Sequence, residues 1–152
     1  MSEIATVIDT VIDRGLRRTL KESGFKKHGR TFVREAGAAA QIVHVQASQW
    51  NQGAEGNFTL DLGVYFPAVA ERRGEVARGA YPREVDSTYR ERIGYLLPEQ
   101  NNRWWELTAT SDLGRPDEAT EIVLDAYARA RPPFAPTVRR FAEKQGIALP
   151  ER

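Results

Sequence analysis

The chain has 152 residues, a net charge of +1 and no cysteine. That length suits one domain over residues 1–152 with a core large enough to need no staple, and the missing cysteines exclude disulfides, thiolate metal sites and a cysteine nucleophile. No run approaches the roughly 20 apolar residues of a membrane span, and the first turns carry Glu3, Asp9 and Asp13 instead of an apolar export segment, so a cytoplasmic protein is expected.

Ile4, Val7, Ile8, Val11, Ile12, Leu16 and Leu20 recur at steps of three and four, which predicts a helix from about Glu3 to Ser23. Gly24 supplies a left-handed stop, and Phe25 is placed to fold back onto the helix end. Thr31 to Arg34 reads as a first strand with Phe32 inward. The period then changes to two. Val43, Val45 and Ala47 alternate with Ile42, His44, Gln46 and Ser48; Phe58, Leu60, Leu62, Val64 and Phe66 alternate with Thr59, Asp61, Gly63 and Tyr65. Two half-buried antiparallel strands follow, joined by the polar, glycine-containing connection Asn51 to Asn57.

Pro67 to Ser87 is too long for an unstructured connection inside a compact domain, so a short helix near Val69 to Ala77 is expected, then a loop with Gly79 and Pro82. Further strands are expected at about Thr88 to Leu96 and Trp104 to Thr110. Pro116, Asp117 and Glu118 open a helix whose apolar stripe is Ala119, Ile122, Val123, Ala126, Tyr127 and Ala130. Pro132 and Pro133 are expected to end it, and a last helix runs from about Pro136 to Gln145, stopped by Gly146.

These elements predict an α+β fold. An antiparallel sheet of about five strands in meander order carries helices on one face, with one N-terminal helix and two C-terminal helices. The other face then displays His44, Gln46, Ser48, Thr59, Asp61, Arg90, Arg92, Trp104, Glu106 and Thr108. Consecutive tryptophans in a strand point to opposite faces; Leu107 and Ala109 make Trp105 the inward one. Arg90 or Arg92 can then stack on Trp104. A solvated sheet face with cross-strand ion pairs has the same pattern.

Charge is unevenly placed. Arg14, Arg17, Arg18, Lys21, Lys26, Lys27, Arg30 and Arg34 stand against Glu22 alone, a local +7 (eight minus one). Arg103 and Arg115 stand against Glu106, Asp112, Asp117, Glu118, Glu121 and Asp125, a local −4 (two minus six). The basic stretch could meet phosphates, yet no helix-turn-helix, zinc-finger or RNA-recognition signature accompanies it. A solvated helix face or a dock for an acidic protein accounts for it more simply. His28 and His44 lack partners at metal-binding spacing, and the chain has no phosphate loop, dinucleotide fingerprint or nucleophile elbow. No cofactor and no metal are expected.

The run Leu20-Lys21-Glu22-Ser23-Gly24-Phe25-Lys26-Lys27, followed by Gly29-Arg30-Thr31-Phe32, resembles a known family. The likeness continues through Val45-Gln46-Ala47-Ser48-Gln49-Trp50-Asn51, Phe58, Leu62-Gly63-Val64-Tyr65, Arg90-Glu91-Arg92-Ile93-Gly94 and Trp104-Trp105-Glu106-Leu107. It is similar to the family catalogued as domain of unknown function 4304, over about Leu20 to Tyr127. The resemblance implies a bacterial-type soluble domain and brings no catalytic residues with it. Gln46, Ser48, Arg90 and Arg92 fall on the polar face, as do Gly63 and Gly94, whose missing side chains leave room for Trp104 or a ligand.

The reading favours a non-enzymatic binding or regulatory module that holds a protein partner or an anionic small molecule on the open sheet face. Gln46, Ser48, Arg90, Arg92 and Trp104 are the candidate residues, with the arginines supplying charge-assisted hydrogen bonds. Replacing both arginines is expected to remove binding and spare the fold. One alternative is an enzyme acting on an anionic substrate at that face, with His44, Asp61 or Glu106 as general acid or base. Another is nucleic-acid binding through residues 14–34. Exposed edge strands are compatible with a monomer or a homodimer.

Overall fold

The computed structural model describes residues 3–48, 51, 53, 55–76, 82–108 and 116–149. Ile4, Val7, Ile8 and Val11 line the buried side of α1 (Glu3–Val11). The next turn widens into a π-helical segment, Ile12–Leu16, before α2 (Arg17–Glu22). The expected single helix is therefore three consecutive segments, and Thr120 accompanies the change. Gly15 lies so close to Thr120 that a Cβ would sit 1.8 Å from its methyl group. In a regular α-helix the Val11 carbonyl would accept from the Gly15 N–H. Here hydrogen bonding shifts to the fifth residue, Arg17 N–H to Ile12 O, and the Thr120 hydroxyl donates to Val11 O at 3.2 Å. Gly24 ends the helix at φ 93°. Phe25 then turns back, its N–H donating to Leu20 O at 2.9 Å.

The sheet contains β1 (Lys26–His28), β2 (Thr31–Ala36), β3 (Ala39–Ala47), β4 (Glu55–Tyr65), β5 (Tyr89–Arg92) and β6 (Trp105–Thr108). Strands β1 to β5 form an antiparallel meander, and β6 returns to β4. β4 is long enough to serve both: β5 pairs with Asp61–Val64 and β6 with Glu55–Phe58. β1 was not anticipated; its three residues are all exposed, so no apolar alternation marks it. β5 is shorter than expected because Ile93–Leu96 curl into a 3₁₀ turn. The expected extension through Ala109 and Thr110 lies outside the described residues.

One face of the sheet carries the main core. Phe32, Val43, Val45, Phe58, Leu60, Leu62 and Trp105 pack with Ile4, Ile8, Leu16 and Leu20. The C-terminal segment supplies the rest of the cover as one helix, α4 (Pro116–Lys144), and not as the two expected. Pro132, Pro133 and Pro136 lie inside it. Each removes an N–H and crowds the preceding turn, a local cost of about 3 kcal/mol. Packing outweighs that cost. Ala126, Ala130, Phe134, Val138 and Ala142 repeat at every fourth position and sit in or against the core, while Pro132, Pro133 and Pro136 face water. The helix ends at Gly146, φ 69°.

The opposite face is partly covered. α3 (Pro67–Arg72), shorter than the helix expected at 69–77, straddles the end of β4. Its Val69 joins a cluster with Val64, Phe66, Val138 and Ala142, and its Ala70 packs with Val33, Ala40, Ile42 and Tyr65 on the far side. The remainder of that far side is polar and carries the site described next.

Candidate functional site

Strand register aligns four polar residues in one row across the outer face. Thr31 pairs with His44, His44 with Asp61, and Asp61 with Arg92, from β2 through β5. The Thr31 hydroxyl and His44 Nδ1 are 2.9 Å apart. Arg92 Nε donates to Asp61 Oδ1 at 3.1 Å. In the next row Gln46 pairs with Thr59; the Thr59 hydroxyl donates to the Arg103 carbonyl at 2.6 Å. On the other side Ile42 pairs with Gly63 and Gly63 with Arg90.

Arg92 is the hub. Its terminal nitrogens donate to Asn102 Oδ1 at 3.0 Å and Gln46 Oε1 at 3.3 Å. Its guanidinium carbon stands 5.1 Å from the Trp104 ring centroid, and the Trp104 indole N–H donates to the same Asn102 oxygen at 3.2 Å. A planar cation bonded along its edges and stacked on one side has little freedom left. Asn102 reaches this position because Gly94 lets the chain fold back. A Cβ there would lie 2.1 Å from the Asn101 carbonyl oxygen, and the Asn101 N–H donates to Gly94 O at 3.2 Å.

A second segment arches over the row. Glu84–Asp86 form a 3₁₀ turn, closed by Arg83 N–H donating to Asp86 Oδ2 at 2.8 Å. Ser87 packs onto Gly63, where a Cβ would meet its hydroxyl oxygen at 2.3 Å. Ser87, then, and the backbone at 101–103 fill the spaces over Gly63 and Gly94, in place of the Trp104 or ligand expected there. The turn carries the buried Glu84 over the face, where Arg90 donates to its Oε1 at 2.8 Å.

Between turn and sheet lies a groove of about 580 Å³, lined by His44, Gln46, Asp61, Glu84, Val85, Arg90, Glu91, Arg92 and Tyr95. Its rim is apolar: Val85 is 65% and Tyr95 45% exposed. Its floor is polar and, among the described residues, charge-balanced: the Arg90 and Arg92 guanidiniums meet the Glu84 and Asp61 carboxylates, while Glu91, opposite the inward Leu62, alternates to the other face. Asp61 is buried with Oδ2 unpaired, whereas Glu84 lines the groove and meets Arg90 through Oε1. Burial holds the His44 imidazole below its ordinary pKa; Glu84 and Asp61 oppose that and Arg30 adds to it. With Nδ1 beside Thr31, Nε2 is the ring nitrogen left for the groove.

Of the sequence candidates, Gln46, Arg90 and Arg92 line this groove, and Trp104 supports it from behind Arg92. Ser48 stands apart at the end of β3, where its N–H donates to Asn57 O and its carbonyl accepts from Asn51 N–H, closing the hairpin. His44 and Asp61 are in the groove; Glu106, exposed, is not among its lining residues. Besides Glu91, which alternation assigns to the other face, Glu84, Val85 and Tyr95 are lining residues that the sequence pattern did not single out. They come from a segment without periodicity and from a 3₁₀ turn, so nothing in the pattern marks their direction. The basic stretch is partly spent internally: Arg30 pairs with Asp9 at 3.0 Å, and Arg34 bonds Gln41 and the Ser23 carbonyl while stacking on Phe25.

Residues 16–126 match the family model described as Domain of unknown function (DUF4304). The chain belongs to this family. No curated protein and no solved structure matches it. Several residues that carried the DUF4304 resemblance now have physical roles. Gly24 ends α2, Gly63 admits Ser87, Gly94 admits the 101–103 backbone, and Arg92 ties three strands to the following loop. Asn51 mimics a strand residue: its amide donates to Asn57 O at 3.0 Å and accepts from Asn57 N–H at 2.8 Å.

Proposed function

We propose that this DUF4304 chain is a binding module and that the outer-face groove is its ligand seat. The observation that carries the reading is a concave surface of about 580 Å³ with exposed Val85 and Tyr95 at its rim and immobilised polar groups on its floor. Small-molecule sites have this size and this mix of apolar wall and few fixed polar groups. A protein-docking face is flatter and broader, so a small molecule fits better than a protein partner. Gln46, Arg90 and Arg92 present donors, and Trp104 keeps Arg92 in place; Ser48 drops out of the site.

The test is a fragment titration of the ¹⁵N-labelled full chain, using a mixture of small polar compounds. At least one fragment should saturably shift the amides of His44, Gln46, Arg90 and Tyr95. Arg90→Ala should abolish that shift, and Tyr95→Ala provides a second variant should the first misfold. Shifts scattered over the molecule, or retained in both folded variants, would defeat the reading.

A second reading has its own observation. Burial favours the neutral form of the His44 imidazole and Thr31 fixes its Nδ1, which suits a general base. An enzyme at the same groove would lose turnover in His44→Gln while still binding its substrate; loss of binding alone would assign His44 to recognition.

A further inference from the structure

We infer that the groove takes a neutral, hydroxyl-rich ligand, a saccharide unit, in preference to a small anion. This rests on the reading of the groove as the ligand seat.

Charge is the first argument. Arg92 is matched to Asp61 and Arg90 to Glu84, so each described guanidinium of the groove already meets a carboxylate. Burial favours the neutral form of His44. An incoming anion would find no surplus cation among the described lining residues and would lose its hydration beside the Asp61 and Glu84 carboxylates. A neutral ligand meets no such opposition.

Hydrogen-bonding chemistry is the second. The Glu84–Arg90 pair uses one carboxylate oxygen and one guanidinium nitrogen. The second Glu84 oxygen and the remaining Arg90 N–H groups lie side by side as acceptor and donors. The Gln46 amide spends its oxygen on Arg92 and keeps its NH₂. A hydroxyl donates and accepts at once, so neighbouring hydroxyls on a sugar ring can satisfy both members of such a pair without breaking it. An anion offers acceptors only and would have to displace Glu84.

The rim is the third. Tyr95 presents an exposed ring beside the polar floor. The C–H face of a pyranose can cover that ring while its hydroxyls turn to the floor.

The experiment titrates the labelled full chain with D-glucose, D-galactose and N-acetyl-D-glucosamine, and separately with inorganic phosphate and acetate. At least one sugar should saturably shift the Gln46, Arg90 and Tyr95 amides, and Tyr95→Ala should weaken it about tenfold or more. Glu84→Gln decides the sign: it should weaken a sugar, which loses a charged acceptor, and strengthen an anion, which loses a repulsion. Tighter binding of phosphate or acetate at these amides, increased by Glu84→Gln, would overturn the saccharide inference and leave the ligand seat standing. Silence from all three sugars would overturn it as well, and the fragment titration would then say separately whether the groove binds anything.

Discussion

Arg92 lies over Trp104 and donates to Asp61 from the adjacent strand, so one side chain joins a half-buried aromatic ring to a buried carboxylate. The Asp61 side chain is only 7% exposed and that of Arg92 27%. Removing the guanidinium leaves a buried charge with neither oxygen paired. Arg92→Ala should therefore cost about 2–4 kcal/mol, read as a lowered urea midpoint. The double variant Arg92→Met, Asp61→Leu should recover most of that loss. A single variant as stable as the parent would show that the pair contributes nothing. Arg92 is thus part of the fold as well as of the groove, and Arg90, though 57% exposed itself, pairs with a Glu84 side chain only 10% exposed, so replacing both arginines is expected to cost stability as well as binding.

Gly15 and Thr120 form a contact with no spare room. Gly15→Ala would place its Cβ 1.8 Å from the Thr120 methyl and 3.3 Å from Leu124 Cδ1. Overpacking of this kind should destabilise by about 1–3 kcal/mol or more. Thr120→Ser deletes the methyl and keeps the hydroxyl that meets Val11, so Gly15→Ala should cost less in that background. Thermal unfolding of the parent, the two single variants and the double variant in a double-mutant cycle measures the coupling, and additive losses would dismiss it.

His44 makes stability depend on pH. Its folded pKa lies below the ordinary value of 6.5, chiefly through burial. As pH falls below that value the unfolded chain takes up a proton that the folded chain still refuses, so stability is full above it and declines toward the folded pKa. Melting temperature should drop between about pH 7.5 and 5 more steeply in the parent than in His44→Gln. Equal slopes would remove His44 as a contributor.

Pro132 and Pro133 occupy exposed positions inside α4. Pro133→Ala restores an N–H to the helix and relieves a clash worth up to about 3 kcal/mol, less about 1 kcal/mol for the freer unfolded chain. A gain of about 1–2 kcal/mol is expected in chemical denaturation. Destabilisation would mean that the proline ring makes a needed contact.

Gln46 and Ser48 show how far alternation alone carries. Both were placed on the outer face by parity, yet Gln46 reaches the groove and Ser48 closes a hairpin two residues farther along. Parity names a face; it does not say how far along the strand the working part lies. The prolines of α4 show the opposite limit. Local preference argued for a break, and the fourfold spacing from Ala126 to Ala142, which crosses them, was the stronger signal.

The linear order of apolar residues was enough to establish an α+β chain with an antiparallel meander, because burial of one strand face imposes a two-residue period and burial of one helix face a period near four. It also placed Arg90, Arg92 and Trp104 opposite the helices. Folding alone decided that Thr31, His44, Asp61 and Arg92 share a row, that Glu84 arrives over them from a distant turn, and that each arginine meets a carboxylate. Such meetings depend on strand register and on the path of irregular segments, which are set by contacts between residues far apart in the chain and leave no periodic trace in it.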